Sequence, residues 1–266
     1  MSEKKQNRQD YIMSVAYDLG VVSKERMAKE LHTSVETIRR DIAELCDKKL
    51  LKKTLRGAEP YKSIVRHDAS YISRVHQNRK ELRTIGEAAC SLIRDGMIIA
   101  FDSDTSIQGV AELISGYKNL TCVTASLPTA MLLFNKIEAG EFSGRVILVG
   151  GELNRDRCTA GSSANGEVIR YHFDLAFISC TSLSISGASS YNLDLCNFSR
   201  QLISNSVESV LIAESEKVGS NSLFCFADLS EFDRIIVDNK HNIPSKIKDY
   251  LEENNVSLTI VKLSKV

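Results

Sequence analysis

The sequence predicts an α/β chain in two unequal parts, a small N-terminal winged helix-turn-helix followed by a larger, Rossmann-like α/β domain. Three observations predict it. Residues 9–58 hold three short helical patterns and then a basic hairpin. From residue 97 onward, short continuous apolar runs alternate with helical stretches, the pattern of a mostly parallel sheet covered on both faces. The net charge is zero over 266 residues, yet residues 1–83 carry 19 basic and 12 acidic side chains and residues 84–266 carry 15 and 22. A part at +7 joined to one at −7 suggests that only the first meets a polyanion.

In the first part, Ile12, Val15, Ala16 and Leu19 recur at helical spacing before the stop at Gly20. Ser23 is placed to cap a second helix, Lys24 to Leu31, that buries Met27, Ala28 and Leu31. Thr33 and Glu36 have the spacing of a capping box for a third helix, in which Val35, Ile38, Ile42 and Leu45 form one apolar stripe. At about 100° per residue, Glu36, Thr37, Arg40 and Glu44 lie opposite that stripe and Arg39 lies at its margin. A helix in the major groove reads bases from its N-terminal part and touches phosphates from its flanks. Thr37 and Arg40 are therefore the expected base readers, with Glu36 as an acceptor from cytosine and Ser34 at the helix start. Arg39, with Lys52, Lys53 and Arg56 of the basic hairpin, is expected on phosphates, and the partner is double-stranded DNA.

Residues 61–83 read as a linker or connecting helix between a head at 1–60 and an α/β domain at 84–266. In that domain, strands are expected at Met97–Phe101, Leu120–Thr124, Arg145–Val149, Asp174–Cys180, Val210–Ala213, Arg234–Val237 and Val256–Val261, and helices at 84–94, 105–116, 127–139 and 244–253. Ligands of such sheets sit at the carboxyl ends of the strands. Those ends hold Asp102, Ser103, Asp104, Thr105 and Ser106, then Thr124 and Ser126, then Gly150 and Gly151, then Glu214 to Lys217. Hydroxyls and backbone N–H groups suit a polar small molecule, and Lys217 supplies a point charge.

Function classes are narrowed by what the sequence lacks. The polar start MSEKKQNRQD shows no secretory pattern, and no apolar run approaches the roughly 18 residues of a spanning helix. The seven cysteines include no C-x-x-C pair, so neither a zinc site nor a disulfide framework is indicated. The expectation is a cytoplasmic protein with no membrane partner, no metal, no cofactor and no catalytic residues.

The segments T-S-V-E-T-I-R-R-D-I-A-E-L at 33–45 and L-L-K-K-T-L-R-G-A at 50–58 resemble the N-terminal domain of the DeoR family of bacterial transcriptional regulators. The second half also resembles that family, in Asp102-Ser103-Asp104-Thr105-Ser106, Thr124-Ala125-Ser126, Gly150-Gly151, Asp174 to Ser179 and Glu214 to Lys217. The resemblance spans roughly residues 8 to 240. It implies a ribose-5-phosphate-isomerase-like sensor domain for phosphorylated sugars or related metabolites. Three departures fall near the implied site: Asp104 stands for a glycine, Ala125 for an asparagine, and Ser199 for a lysine, with Arg200 beside it retained.

The leading expectation is a regulator, a repressor of carbohydrate-metabolism genes, that binds operator DNA and responds to a small effector (a sugar, polyol or sugar phosphate). Two other readings are a constitutive DNA-binding protein and a sugar-phosphate isomerase with Asp102 or Asp104 as base. A carboxylate at 104 would repel a phosphate by about 4 kcal/mol per charge pair at about 4 Å and an effective dielectric near 20. That favours a non-phosphorylated or cationic ligand, unless Asp104 merely caps the helix that starts near Thr105. Palindromic half-sites call for two heads, so a homodimer or homotetramer held by its α/β half is expected.

Overall fold

The computed structural model describes residues 3–19, 21–48, 50–55, 57–60 and 78–263. Gly20, Arg56 and the linker stretch 61–77, on which sequence expectations fall, lie outside the described residues. The chain divides into two units, residues 1–80 and 81–266.

The first unit comprises α1 (Glu3–Leu19), β1 (Val22–Ser23), α2 (Lys24–Glu30), α3 (Val35–Asp47), β2 (Leu51–Lys53) and β3 (Gly57–Pro60). Ser23 caps α2 by accepting from the Arg26 N–H at 3.4 Å. The cap of α3 is Ser34 rather than Thr33, its Oγ accepting from the Thr37 N–H at 3.1 Å. The Thr33 N–H donates to Ala28 O at 3.0 Å and so belongs to the turn that closes α2. Glu36 thus falls at the second helical position, where no capping box forms, and Val35 at the first, where it is 44% exposed and leaves the stripe. Ile38, Ile42 and Leu45 do reach the core, against Ile12, Met13, Ala16, Met27, Leu50 and Leu51.

One polar residue of α3 turns inward, and a second, half-exposed, reaches across to α1. Asp41 is 2% exposed and accepts from Arg8 Nε at 2.5 Å, Arg8 Nη2 at 3.2 Å and Gln9 Nε2 at 3.4 Å. Glu44, expected on the solvent face, accepts from Lys5 Nζ at 2.6 Å and Gln9 Nε2 at 3.0 Å. These bonds lock α1 onto α3 and set the angle at which the outer face of α3 is presented. The wing is an antiparallel sheet in the order β1-β3-β2. Gly57 is required where β1 and β3 meet, because a Cβ there would lie 1.8 Å from Val22 O.

The second unit runs α4 (Arg79–Cys90), β4 (Ile98–Phe101), α5 (Thr105–Leu113), β5 (Leu120–Thr124), α6 (Leu127–Glu138), β6 (Gly144–Leu148), α7 (Ser162–Val168), β7 (Phe173–Ser179), β8 (Ser182–Ser184), β9 (Gly187–Ser190), α8 (Leu193–Ser204), β10 (Ser206–Ala213), β11 (Phe224–Ala227), β12 (Arg234–Asp238), α9 (Ser245–Glu253) and β13 (Ser257–Val261). Seven strands form a parallel sheet in the order β13-β12-β10-β7-β4-β5-β6. Each strand alternates between two cores. Ile99, Phe101, Leu175 and Phe177 meet α4, α5 and α6, whereas Ala100, Ala176, Ile178 and Leu211 meet α7, α8 and α9. This is why the strands read as unbroken apolar runs.

The structure departs from expectation in three places. The final residues of the expected linker already form α4, which packs so closely on α5 that a Cβ on Gly86 would lie 2.7 Å from Gly109 O. Helix α7 interrupts what reads as loop, since S-S-A-N-G-E-V carries little helical propensity. A second, antiparallel sheet (β11-β9-β8) is built from S-L-S, G-A-S-S and F-C-F-A, two of which lack β-branched and aromatic residues.

The Arg8–Asp41 pair gives the fold its first test. Arg8→Met leaves a buried carboxylate without its cation and should cost the head about 3 kcal/mol, while Arg8→Met with Asp41→Leu should recover most of that. Denaturant unfolding of the full chain measures both. A loss below about 1 kcal/mol in the single variant would mark the pair as an ordinary surface bridge.

Candidate functional site

On the first unit, the outward face of α3 carries Ser34, Glu36, Thr37, Arg39 and Arg40. Ser34 and Thr37 hydroxyls are bonded to each other at 2.8 Å. Glu36 takes a two-pronged bond from Arg39, Nε and Nη2 each at 2.7 Å, and a longer one from Arg40 Nε at 3.3 Å. Those hydrogen bonds, Arg39's first, hold the Glu36 carboxyl down at about 2. The arginines remain open to solvent, Arg39 at 61% and Arg40 at 75%. On β2, Lys52 and Lys53 are exposed, and Lys52 Nζ lies 3.5 Å from Glu59. The reading helix and the wing thus offer cations, with Glu36 standing inside the set as their counter-charge.

On the second unit, the strand order names the place to look. From β4 the chain proceeds outward through β5 to β6, then returns to lay β7 on the other side of β4. The order therefore reverses between β4 and β7, the position where open parallel sheets take ligands. Asp102 follows β4 there, 3% exposed. Its Oδ1 accepts from the Ser103 N–H at 2.7 Å, and its Oδ2 accepts from the Ser179 N–H of β7 at 3.1 Å and from Ser199 Oγ of α8 at 2.9 Å. Burial pushes the Asp102 carboxyl up to about 6 against the pull of these bonds. Ser103 is 5% exposed, and its hydroxyl has no hydrogen-bond partner.

The neighbouring loop is charged. Asp104 caps α5, the alternative left open by the sequence, its Oδ1 accepting from the Thr105 N–H at 2.5 Å and the Thr105 hydroxyl at 3.1 Å. Lys217 Nζ lies 2.8 Å from Glu214 Oε2 and 3.9 Å from Asp104 Oδ2, and donates to Ser106 Oγ at 3.0 Å. Burial alone would lower Lys217, but the carboxylates of Glu214 and Asp104 outweigh it and hold the ammonium above its ordinary range. Next in the loop, Ser215 donates to Asp238 through N–H at 2.8 Å and hydroxyl at 2.6 Å. The Lys240 N–H donates to Asp238 Oδ1 at 2.8 Å, and Lys240 Nζ reaches Glu81 Oε1, in the first turn of α4, at 2.7 Å.

Asp102, Asp104, Thr105, Ser106 and Lys217 are therefore gathered at one switch point, with Ser103 between the two aspartates in the chain. The other expected residues have local duties. Thr124 Oγ1 accepts from the Ser126 N–H at 3.0 Å, and Ser126 caps α6 by accepting from Thr129. The Gly150 N–H donates to Glu167 at 3.3 Å, and Gly151 passes where a Cβ would come within 2.7 Å of Thr159 O. Arg200 is exposed, one residue round α8 from the buried Ser199, and no hydrogen bond or ion pair among the described residues joins it to Asp102 or Lys217. Sequence reasoning placed Glu214 and Ser199 near the site without their partners, and overlooked Asp238 altogether. The signal for Asp238 was present, since it ends the apolar run R-I-I-V-D just as Asp102 ends I-I-A-F-D.

A winged helix-turn-helix with exposed arginines on its third helix, followed by a parallel-sheet unit with a polar switch point, defines a two-part DNA-binding regulator. The comparisons place it. The DeoR-like helix-turn-helix domain model matches residues 8–63, and the DeoR C-terminal sensor domain model matches residues 77–239. The chain belongs to the DeoR family of transcriptional regulators. It is 30% identical to the lactose phosphotransferase system repressor of Staphylococcus epidermidis, over 93% of this chain and 98% of that protein. It is also 30% identical to the HTH-type transcriptional regulator GlpR of Haloferax volcanii, over 87% of this chain and 89% of that protein. Among solved structures, ribose 5-phosphate isomerase A of Neisseria gonorrhoeae aligns over 54% of this chain and 55% of its own, at 17% identity and a TM-score of 0.38. No helix of the described residues is long and apolar enough to cross a membrane.

The buried Asp102 predicts a pH effect. Its carboxyl sits near 6 in the fold against an ordinary 3.8, so the folded chain holds this proton more tightly than the unfolded one. The group costs nothing below about pH 4; as pH rises through 6 its ionisation removes about 3 kcal/mol. Asp102→Asn should flatten the fall in stability of the α/β unit between pH 4.5 and 7, measured by denaturant midpoints. Equal slopes in both proteins would place the titration elsewhere.

Proposed function

We propose that this protein is a repressor of carbohydrate-metabolism genes whose operator affinity is modulated by a small effector at the β4/β7 strand ends. The observation that carries the reading is the conjunction within one chain of the α3 arginine face and a buried polar switch point with an orphaned Ser103 hydroxyl. A buried hydroxyl without a partner costs free energy that a hydroxyl-bearing ligand would recover. The names of the relatives, a lactose phosphotransferase system repressor and a glp-type regulator, support regulation of sugar use.

In this reading Arg40, the less firmly held of the two arginines, reads a base edge with Thr37 beside it, while Arg39, Lys52, Lys53 and Arg56 meet phosphates. A symmetric dimer or tetramer, joined through the α/β units, sets two heads on palindromic half-sites. Arg40→Ala should cost about 1–3 kcal/mol on the selected site and relax specificity at one base pair. Lys53→Ala should weaken binding to all sequences and flatten the salt dependence by about one unit of slope. Binding selected from a random duplex library and titrated at several salt concentrations separates the two. Equal loss on specific and random DNA in the Arg40 variant would remove it as a base reader.

The same geometry supplies a route for the signal. From Lys217 and Glu214 the loop passes to Ser215, then Asp238, then Lys240, then Glu81, which stands at the start of the helix that follows the linker. Lys240→Met should leave effector affinity unchanged and reduce the shift in operator affinity, a coupling that commonly amounts to about 5–150-fold. A thermal-shift screen of sugars and polyols, followed by operator titration with each binder, tests both statements. A full shift in the Lys240 variant would show that the signal leaves by another path.

A further inference from the structure

We propose that Asp104 and Glu214 fill from within the chain the seat that an anion would take at this switch point, so that the site selects a hydroxyl-rich effector without a phosphate. The inference rests on the reading of the β4/β7 strand ends as the effector site. A helix N-terminus, a lysine and flanking hydroxyls are the groups that hold a phosphate. Here α5 offers its N-terminus, Lys217 its ammonium, and Thr105 and Ser106 their hydroxyls. All four are engaged by the chain's own carboxylates. Asp104 accepts from the Thr105 N–H and hydroxyl, and Glu214 accepts from Lys217 at 2.8 Å and from Ser106 at 3.2 Å. Lys217 is mostly buried, with 16% of its side chain exposed, so solvent screens these pairs little.

Charge points the same way. Asp104 and Glu214 bring two carboxylates to the ammonium of Lys217, Asp102, two residues before Asp104 in the same loop, adds a third, and the next loop adds Asp238. An entering phosphate would have to break the Lys217–Glu214 pair while facing Asp104. A sugar or polyol meets no such barrier, because carboxylates and serine hydroxyls are acceptors for its hydroxyls. The second, independent sign of a ligand is Ser103, whose hydroxyl is 95% buried with its residue and has no partner. It sits in the same loop, between Asp102 and Asp104.

The test uses the full chain and inorganic phosphate at constant ionic strength against chloride, read by thermal shift and calorimetry, with ribose 5-phosphate and ribose as further probes. Asp104→Asn keeps a capping oxygen while removing the charge, so the variant Asp104→Asn with Glu214→Gln should fold. Wild type should show no phosphate-specific stabilisation, and the double variant should gain at least about tenfold in phosphate affinity. Adding Lys217→Met should abolish the gain. Phosphate binding by wild type that is unchanged in the double variant would overturn the proposal, as would a double variant that binds phosphate no better than a wild type that does not bind it. If the double variant gains phosphate and operator affinity is indifferent to it, the selectivity stands, and the placement of the effector site is what fails.

Discussion

The carboxyl edge of the sheet depends on one buried carboxylate. Asp102 stands where β4 ends and the strand order reverses, and its two oxygens bind the backbone of its own loop, the backbone of β7 and a hydroxyl of α8. Parallel strands are joined only by their ladders, and beyond the last rung nothing in the backbone keeps their loops together. A carboxylate with four lone-pair sites does so with three donors. Its burial is costly, which is why its proton is held to about 6, and that cost is accepted at the point where a ligand would be read. The loops bearing Ser103, Asp104 and Ser106 are positioned by it.

The head uses the same device. Asp41 is buried at the α1–α3 contact and bonded by Arg8 and Gln9, so the reading helix is aimed by an ion pair rather than by apolar contact alone. Apolar packing is tolerant of small rotations, whereas a two-pronged guanidinium–carboxylate bond is directional. Each unit therefore commits a buried aspartate to orientation, Asp41 in the head and Asp102, with Asp238 beside it in the next loop, in the α/β unit.

Much of this was legible in the sequence. Period decided the elements: Ile38, Ile42 and Leu45 mark α3 by helical spacing, and the runs ending in Asp102 and Asp238 mark buried strands. The cap of α3 slipped by one residue because Thr33 and Ser34 are both acceptable caps, and only the turn bond from Thr33 to Ala28 decides between them. The bonds of Asp41 and Glu44 to α1 could not be read from the sequence, because a partner more than thirty residues away carries no local signature. The cluster around Lys217 was legible as a set of polar strand ends, yet the pairing of Lys217 with Glu214 was not. Which charges cancel depends on side-chain directions that no spacing encodes. The small sheet β11-β9-β8 escaped notice because two of its strands, S-L-S and G-A-S-S, carry no β-branched or aromatic residue, and the third, F-C-F-A, is only four residues long.

Glu36 has a consequence beyond its place on the reading helix. By holding Arg39 in a fork and Arg40 more loosely, it acts as a rival to DNA that travels with the protein. Any anion that takes either arginine must displace a carboxylate already in place, although an exposed pair of this kind is a weak obstacle. If α3 meets DNA as proposed, a base edge for Arg40 and a phosphate for Arg39 would together have to replace the bonds that Glu36 now supplies. The fork thus opposes specific and random duplex alike wherever the arginines are engaged, and it keeps the two side chains ordered until then.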